Sequence, residues 1–158
     1  MMILIGRASM CLALLFSVTA CAAGSPNEAD KFSEMTSEQR QSFILSQPVD
    51  RRVDVYIDML RAIRPPDLSL ESALASNGKR IIPDLKEELH RSDSDVVKVH
   101  LIMVFYRMQR SETYSVASDS ELMGFLEDEA SAIEDPEWRE MALQQVAKIR
   151  DTNSREAR

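Results

Sequence analysis

The stretch that most constrains this chain is Asp95 to Met108, DVVKVHLIMVFYRM. Wound as an α-helix, it carries Val97, Leu101, Val104, Phe105 and Met108 on one face, and Val96, Val99, Met103 and Tyr106 on the other. A helix that is apolar on nearly all sides must lie between layers of structure rather than on a surface. A β-strand is the competing reading, because Val and aromatic residues are frequent there. The length of the run favours the helix, as do Lys98, His100 and Arg107, which interrupt any alternation. The rest of the chain must then supply covering layers.

It has the material to do so. Hydrophobic residues make up 44% of 158 residues, enough for the core of one domain, and charged residues make up 28%, which argues against a membrane-embedded fold. Gly is scarce at 4, which disfavours Gly-rich phosphate loops and many-turned all-β folds, while 9 Met and 6% aromatics suit helices. Thr36-x-x-Gln39 reads as a capping box before a short helix with Phe43 and Ile44. Pro48 suits a first turn, and Val53, Tyr56, Ile57, Leu60 and Ile63 form the next stripe. Pro65-Pro66 stops that helix, residues 67–76 form a short one with Leu70 and Leu74 inward, and Asn77-Gly78 marks a stop. Ile82, Leu85 and Leu89 follow. Ser118-x-x-Glu121 reads as a second capping box, before Leu122, Phe125, Leu126, Ala130 and Ile133. Asp135-Pro136 supplies an N-cap and first turn for a last stripe of Trp138, Met141, Ala142, Val146 and Ile149. Residues 152–158 are polar and read as a frayed tail. The expected class is all-α.

An internal repeat organises the C-terminal half. Shifted by 41 residues, Ile82 meets Met123, Leu85 meets Leu126, Leu89 meets Ala130, Val97 meets Trp138, Lys98 meets Arg139, Leu101 meets Ala142, Ile102 meets Leu143, Phe105 meets Val146 and Met108 meets Ile149. Apolar meets apolar and base meets base across a helix–turn–helix unit. The pattern resembles HEAT-type repeats. Ile81-Ile82-Pro83-Asp84-Leu85 is similar to their Pro-bearing first helix, Asp95-Val96-Val97-Lys98 to their inter-helix turn, and Gln47-Pro48-Val49-Asp50-Arg51-Arg52-Val53 to a weaker copy of the same corner. Gly124 departs from it, standing where Pro83 stands in the other copy, and residues 67–76 do not fit a two-helix repeat. The resemblance implies a short stack of helical hairpins over 36–151. An irregular all-α bundle is the alternative.

The N-terminus reads as an address. Residues 1–20 hold one base, Arg7, and then an apolar run from Ala8 to Ala20 broken only by Ser and Thr. The run is short for a membrane span and has secretory proportions. Val18-Thr19-Ala20-Cys21 resembles the lipobox of bacterial lipoproteins. That resemblance implies a diacylglyceryl group on the Cys21 thiol, cleavage before Cys21, acylation of the new amino group, and so a permanent lipid anchor. Ala22, where an Asp tends to retain such proteins at the inner membrane, implies the periplasmic face of the outer membrane. An ordinary cleaved signal with an incidental Cys is the competing reading. Residues 21–35 are small and polar and read as a flexible tether. Cys11 leaves with the signal, so the expected mature chain has no free thiol and no disulfide.

The formal net charge is −7, which argues against nucleic-acid binding. The acids concentrate over residues 119–140, where nine stand against one base, Arg139. Glu127, Asp128, Glu129, Glu134, Asp135 and Glu137 are the candidate partner-binding residues, since a local negative field steers a basic partner. The bland alternative is a solvated face with acids at helix starts. Catalytic patterns are lacking. His90 and His100 lie ten apart on separate expected helices without H-E-x-x-H spacing; His90 reads as a surface residue and His100 as the polar edge of a buried helix. There is no G-x-S-x-G, S-x-x-K or G-x-x-x-x-G-K. The expected function is therefore not enzymatic, with no cofactor and no metal. It is a lipid-anchored adaptor or assembly factor of the cell envelope that binds another protein. The alternative is an immunity or inhibitor lipoprotein that neutralises a basic toxin or hydrolase.

Overall fold

A computed structural model describes residues 28–156. The signal segment 1–20 and the lipobox ending at Cys21 lie outside the described residues. Every regular element among the described residues is helical: α1 (Glu28–Glu34), α2 (Ser37–Ser46), α3 (Arg52–Ala62), α4 (Ser69–Ala75), α5 (Ile82–Arg91), α6 (Asp95–Arg110), α7 (Ser120–Ser131) and α8 (Pro136–Glu156). Short 3₁₀ turns precede α3, α5 and α7. The chain is all-α.

The helices alternate between two layers. In one, α2 packs on α4, α4 on α6 and α6 on α8; in the other, α1 packs on α3 and α3 on α5. Side chains from α5 and α6 carry the second layer on to α7: Lys86 Nζ lies 4.9 Å from the Phe125 ring centre, and Lys98 Nζ lies 3.0 Å from Glu129. α6 therefore lies where its sequence requires, flanked by α4 and α8 and backed by α5 and α7. Its first face, Val97, Leu101, Val104, Phe105 and Met108, is fully buried, together with Val99 and Ile102. Each such side chain contributes roughly 1.5–3 kcal/mol relative to leaving it in water. The second face is covered less completely: Val96, Met103 and Tyr106 are half-buried.

The 41-residue correspondence holds in the burial pattern. Leu85 and Leu126, Leu89 and Ala130, Leu101 and Ala142, Phe105 and Val146, and Met108 and Ile149 are all buried. Ile102 and Leu143 break it. Ile102 is buried, whereas Leu143 is 40% exposed on α8, the last helix of its layer, which has no further helix beyond it among the described residues. Met141, also expected in the last stripe, is 40% exposed because it sits off the axis of Ala142, Val146 and Ile149.

Local signals explain most boundaries. Thr36 Oγ1 accepts from Gln39 N–H and Gln39 Oε1 accepts from Thr36 N–H, a complete capping box for α2. Asp135 Oδ1 accepts from Glu137 and Trp138 N–H groups at the start of α8. Gly78 closes α4 with φ +55, and a Cβ there would lie 2.7 Å from the Thr113 carbonyl oxygen. Three boundaries differ from expectation. The tether expected over 21–35 does not run that far, since Glu28–Glu34 is helical; Phe32 is 4% exposed, stacks 5.8 Å from Phe43, and its carbonyl accepts from Arg40 Nε. The N-cap of α7 is Asp119 rather than Ser118, because Asp119 Oδ1 accepts from Leu122 N–H while Oδ2 accepts from the Tyr114 hydroxyl. The tail expected from residue 152 is helical as far as Glu156.

Candidate functional site

The acidic segment folds as the last hairpin, with α7 descending and α8 returning after a short link. Its carboxylates divide by role. Asp119 and Asp135 are caps. The Asp135 N–H also donates to Asp95 Oδ2 at 2.9 Å, tying this link to the start of α6. Glu127 pairs with Arg150 of α8. Glu129 is 8% exposed; Lys98 Nζ donates to its Oε2, and His90 Nδ1 lies 2.7 Å from its Oε1. Burial pushes the Glu129 carboxyl up, but the hydrogen bonds from His90 and Lys98 outweigh it and hold the group below its ordinary value. Of the six acids singled out by sequence, Glu129 and Asp135 are thus engaged in holding the fold and Glu127 in an ion pair.

Asp128, Glu134 and Glu137 remain exposed, without an ion-pair partner among the described residues. The dipole accounts for Glu137, which lies in the first turn of α8. It opposes Asp128. That residue sits at the carbonyl end of α7, whose last turn contains no base, a placement unfavourable by about 0.3–1 kcal/mol. Glu134 lies in the link and caps nothing. The solvated-face account therefore covers Asp119, Glu121 and Glu137 but not Asp128 and Glu134.

A second polar group, missed in the sequence, lies inside the stack. Glu71 of α4 is 0% exposed. Its Oε1 lies 2.9 Å from His100 Nδ1, and its Oε2 lies 3.6 Å from Arg107 Nε without a hydrogen bond. The Tyr56 hydroxyl of α3 is also buried without a hydrogen-bond partner among the described residues. Burial, reinforced by the charge of Glu71, pushes the Tyr56 phenol well above its ordinary value. His100, expected at the polar edge of a buried helix, is 6% exposed and faces this carboxylate; His90 is at the surface as expected. A signal for Glu71 existed. It sits directly beside Leu70 and one turn from Leu74, on the face that α4 turns inward.

Among the described residues, no group of three or more His, Cys, Asp or Glu is placed to hold a metal ion. No helix among them is long and apolar enough to cross a membrane. Comparison with family models, curated proteins and solved structures gives no match.

Proposed function

We propose that the chain is a lipid-anchored interaction module of the cell envelope, attached through Cys21, that offers the acidic end of its last hairpin to a basic protein partner. The observation that carries this is the position of Asp128. An exposed, unpaired carboxylate at the negative end of a helix lowers the stability of the fold, and Glu134 follows in the link without a capping role. Charges placed against local stability make physical sense where they act on something outside the molecule. α1 begins at Glu28, so only residues 22–27 separate it from the anchoring Cys. Even fully extended they reach roughly 20–25 Å, which holds α1 close to the membrane surface with the last hairpin at the other end of the stack.

The first test compares the wild type with Asp128→Asn/Glu134→Gln/Glu137→Gln by in-cell crosslinking and pull-down from membranes. The expected result is one recurrent envelope partner for the wild type and its loss in the triple variant. A partner retained at full strength by the triple variant would overturn the role of the acidic end. Cys21→Ser tests the anchor, and unchanged membrane fractionation of that variant would sink it. The second reading is an inhibitor of a basic toxin or hydrolase, favoured by the same unpaired acids. It predicts a single basic enzyme bound with an association rate that falls steeply as salt rises.

A further inference from the structure

The α4–α6 junction carries a cleft, lined by hydroxyl and guanidinium side chains, that the acidic-end reading leaves unused. Ser72 and Ser76 lie one turn apart on α4, and Arg107 and Arg110 lie one turn apart on α6. Because α4 packs on α6, these pairs face each other, and with Ser111 and Thr113 they line a cleft of about 240 Å³. Its electrostatics follow from what lies behind it. Arg107 Nε is buried and drawn toward Glu71, 3.6 Å away, while about a third of the side chain remains exposed at the cleft. Arg110 has no carboxylate partner among the described residues and only a loose contact with the Tyr106 ring, at 5.9 Å. Glu112, the acid nearest in sequence, lines a different cleft with Gln109, Tyr114 and Ser115.

The ends of α4 and α6 bring carbonyl oxygens here, which repel an anion. Side-chain hydroxyls quench several of them: Ser76 Oγ donates to the Ala73 carbonyl, Ser111 Oγ to Arg107, and Thr113 Oγ1 to Ala75. The Ser72 hydroxyl has no partner among the described residues and stays available as a donor. The geometry points to this cleft as a binding site for a phosphate-class oxyanion, held by Arg107, Arg110 and Ser72. Paired guanidinium groups match the planar, bidentate recognition of phosphate oxygens. The volume lies below the roughly 300–1,000 Å³ of pockets for drug-sized ligands, so a free phosphate or a single phosphate ester fits better than a nucleotide. Glu71 acts here as a positioning residue through its charge, lying behind the Arg107 guanidinium at 3.6 Å without a hydrogen bond.

The test is a calorimetric titration of the full chain with inorganic phosphate at constant ionic strength, repeated with glycerol phosphate, the water-soluble headgroup of a phospholipid. The expected result is saturable 1:1 binding, weakened at least fivefold by Arg110→Gln and two- to fivefold by Ser72→Ala, and unchanged by Arg64→Gln, an exposed arginine outside the cleft. Both test side chains are exposed, and equal melting temperatures for the variants establish that each is folded. Tighter binding of glycerol phosphate assigns the cleft to an ester headgroup, and equal binding to the free anion. Non-saturable uptake, or equal weakening by Arg64→Gln and Arg110→Gln, overturns the site in favour of general charge attraction. This outcome is independent of the acidic-end reading, which neither residue touches.

Discussion

Removing the His100 side chain should strand the Glu71 carboxylate. Glu71 is 0% exposed, and among the described residues its one hydrogen bond is with His100 Nδ1, at 2.9 Å. Arg107 is too far and too poorly aligned to replace it, since its Nε lies 3.6 Å from the other carboxylate oxygen with no hydrogen bond. Leaving a buried carboxylate without its partner costs about 3–5 kcal/mol, and His100→Ala should lose at least that much, with a further loss from the void. Glu71→Ala strands no carboxylate, and Arg107 reaches water through its exposed third; the loss of one hydrogen bond there costs about 1–3 kcal/mol. The void contributions recur in the double variant, but the stranded charge does not. Adding Glu71→Ala to His100→Ala should therefore cost nothing or recover stability, so the coupling is at least the whole Glu71→Ala loss, about 1–3 kcal/mol. Urea unfolding at neutral pH measures this, followed by far-ultraviolet dichroism and by the fluorescence of Trp138, the one Trp of the chain. Unchanged slopes against urea would show that the stability itself has moved. If the two losses add within about 0.5 kcal/mol, the stranded-carboxylate argument is wrong and the pair is two independent packing contacts.

Two glycines make an opposed pair. Gly78→Ala should destabilise by about 2 kcal/mol or more in thermal or urea unfolding, since its φ of +55 is strained for Ala and the new Cβ meets the Thr113 carbonyl. Gly124→Ala, with nothing within 4 Å of its Cβ position in the middle of α7, should stabilise by about 0.5–1 kcal/mol. Glu129→Gln should lower stability at neutral pH by about 1–2 kcal/mol, mainly through Lys98, whose side chain is 13% exposed where that of His90 is 80% exposed. The folded Glu129 carboxyl lies below its ordinary value of 4.5, so its contribution is present above that pH and lost as pH falls through the folded value. The gap between wild type and Glu129→Gln should accordingly narrow on acidification, and a gap constant across that range would contradict the assignment.

Much of this architecture was legible because helical periodicity is a local property. The stripe Val53, Tyr56, Ile57, Leu60 and Ile63 is buried along its whole length, and the Thr36 and Asp135 caps stand where side-chain oxygens precede apolar runs. What escaped was decided by tertiary pairing. The segment containing Phe32 is too short and too polar to announce a helix, and α1 exists because Phe32 meets Phe43 and Arg40 reaches back to its carbonyl. Ser118 and Asp119 are equally good caps in the sequence; the Tyr114 hydroxyl selects the second. Charge density drew attention to Glu127, Glu129 and Asp135, yet only the fold brings them to Arg150, Lys98 and the Asp95–Asp135 contact. Glu71 was visible on the inward face of its helix, but its partner lies 29 residues away on α6.

α6 also shows how apolar and polar contacts divide the work of specifying this stack. Its apolar faces supply most of the burial, but such faces are tolerant: volume-conserving exchanges between Leu, Val, Ile and Met positions generally cost under about 1.5 kcal/mol. A slide of α6 by one turn, about 5.4 Å, would largely exchange such residues for one another. It would also break three polar contacts made by this one helix: His100 with Glu71 of α4, Lys98 with Glu129 of α7, and Asp95 with the link into α8. The first of these alone leaves a buried carboxylate unpaired, at about 3–5 kcal/mol, more than the apolar repacking can return. The apolar stripes therefore make the stack stable, and the few polar residues on α6 decide which register is stable.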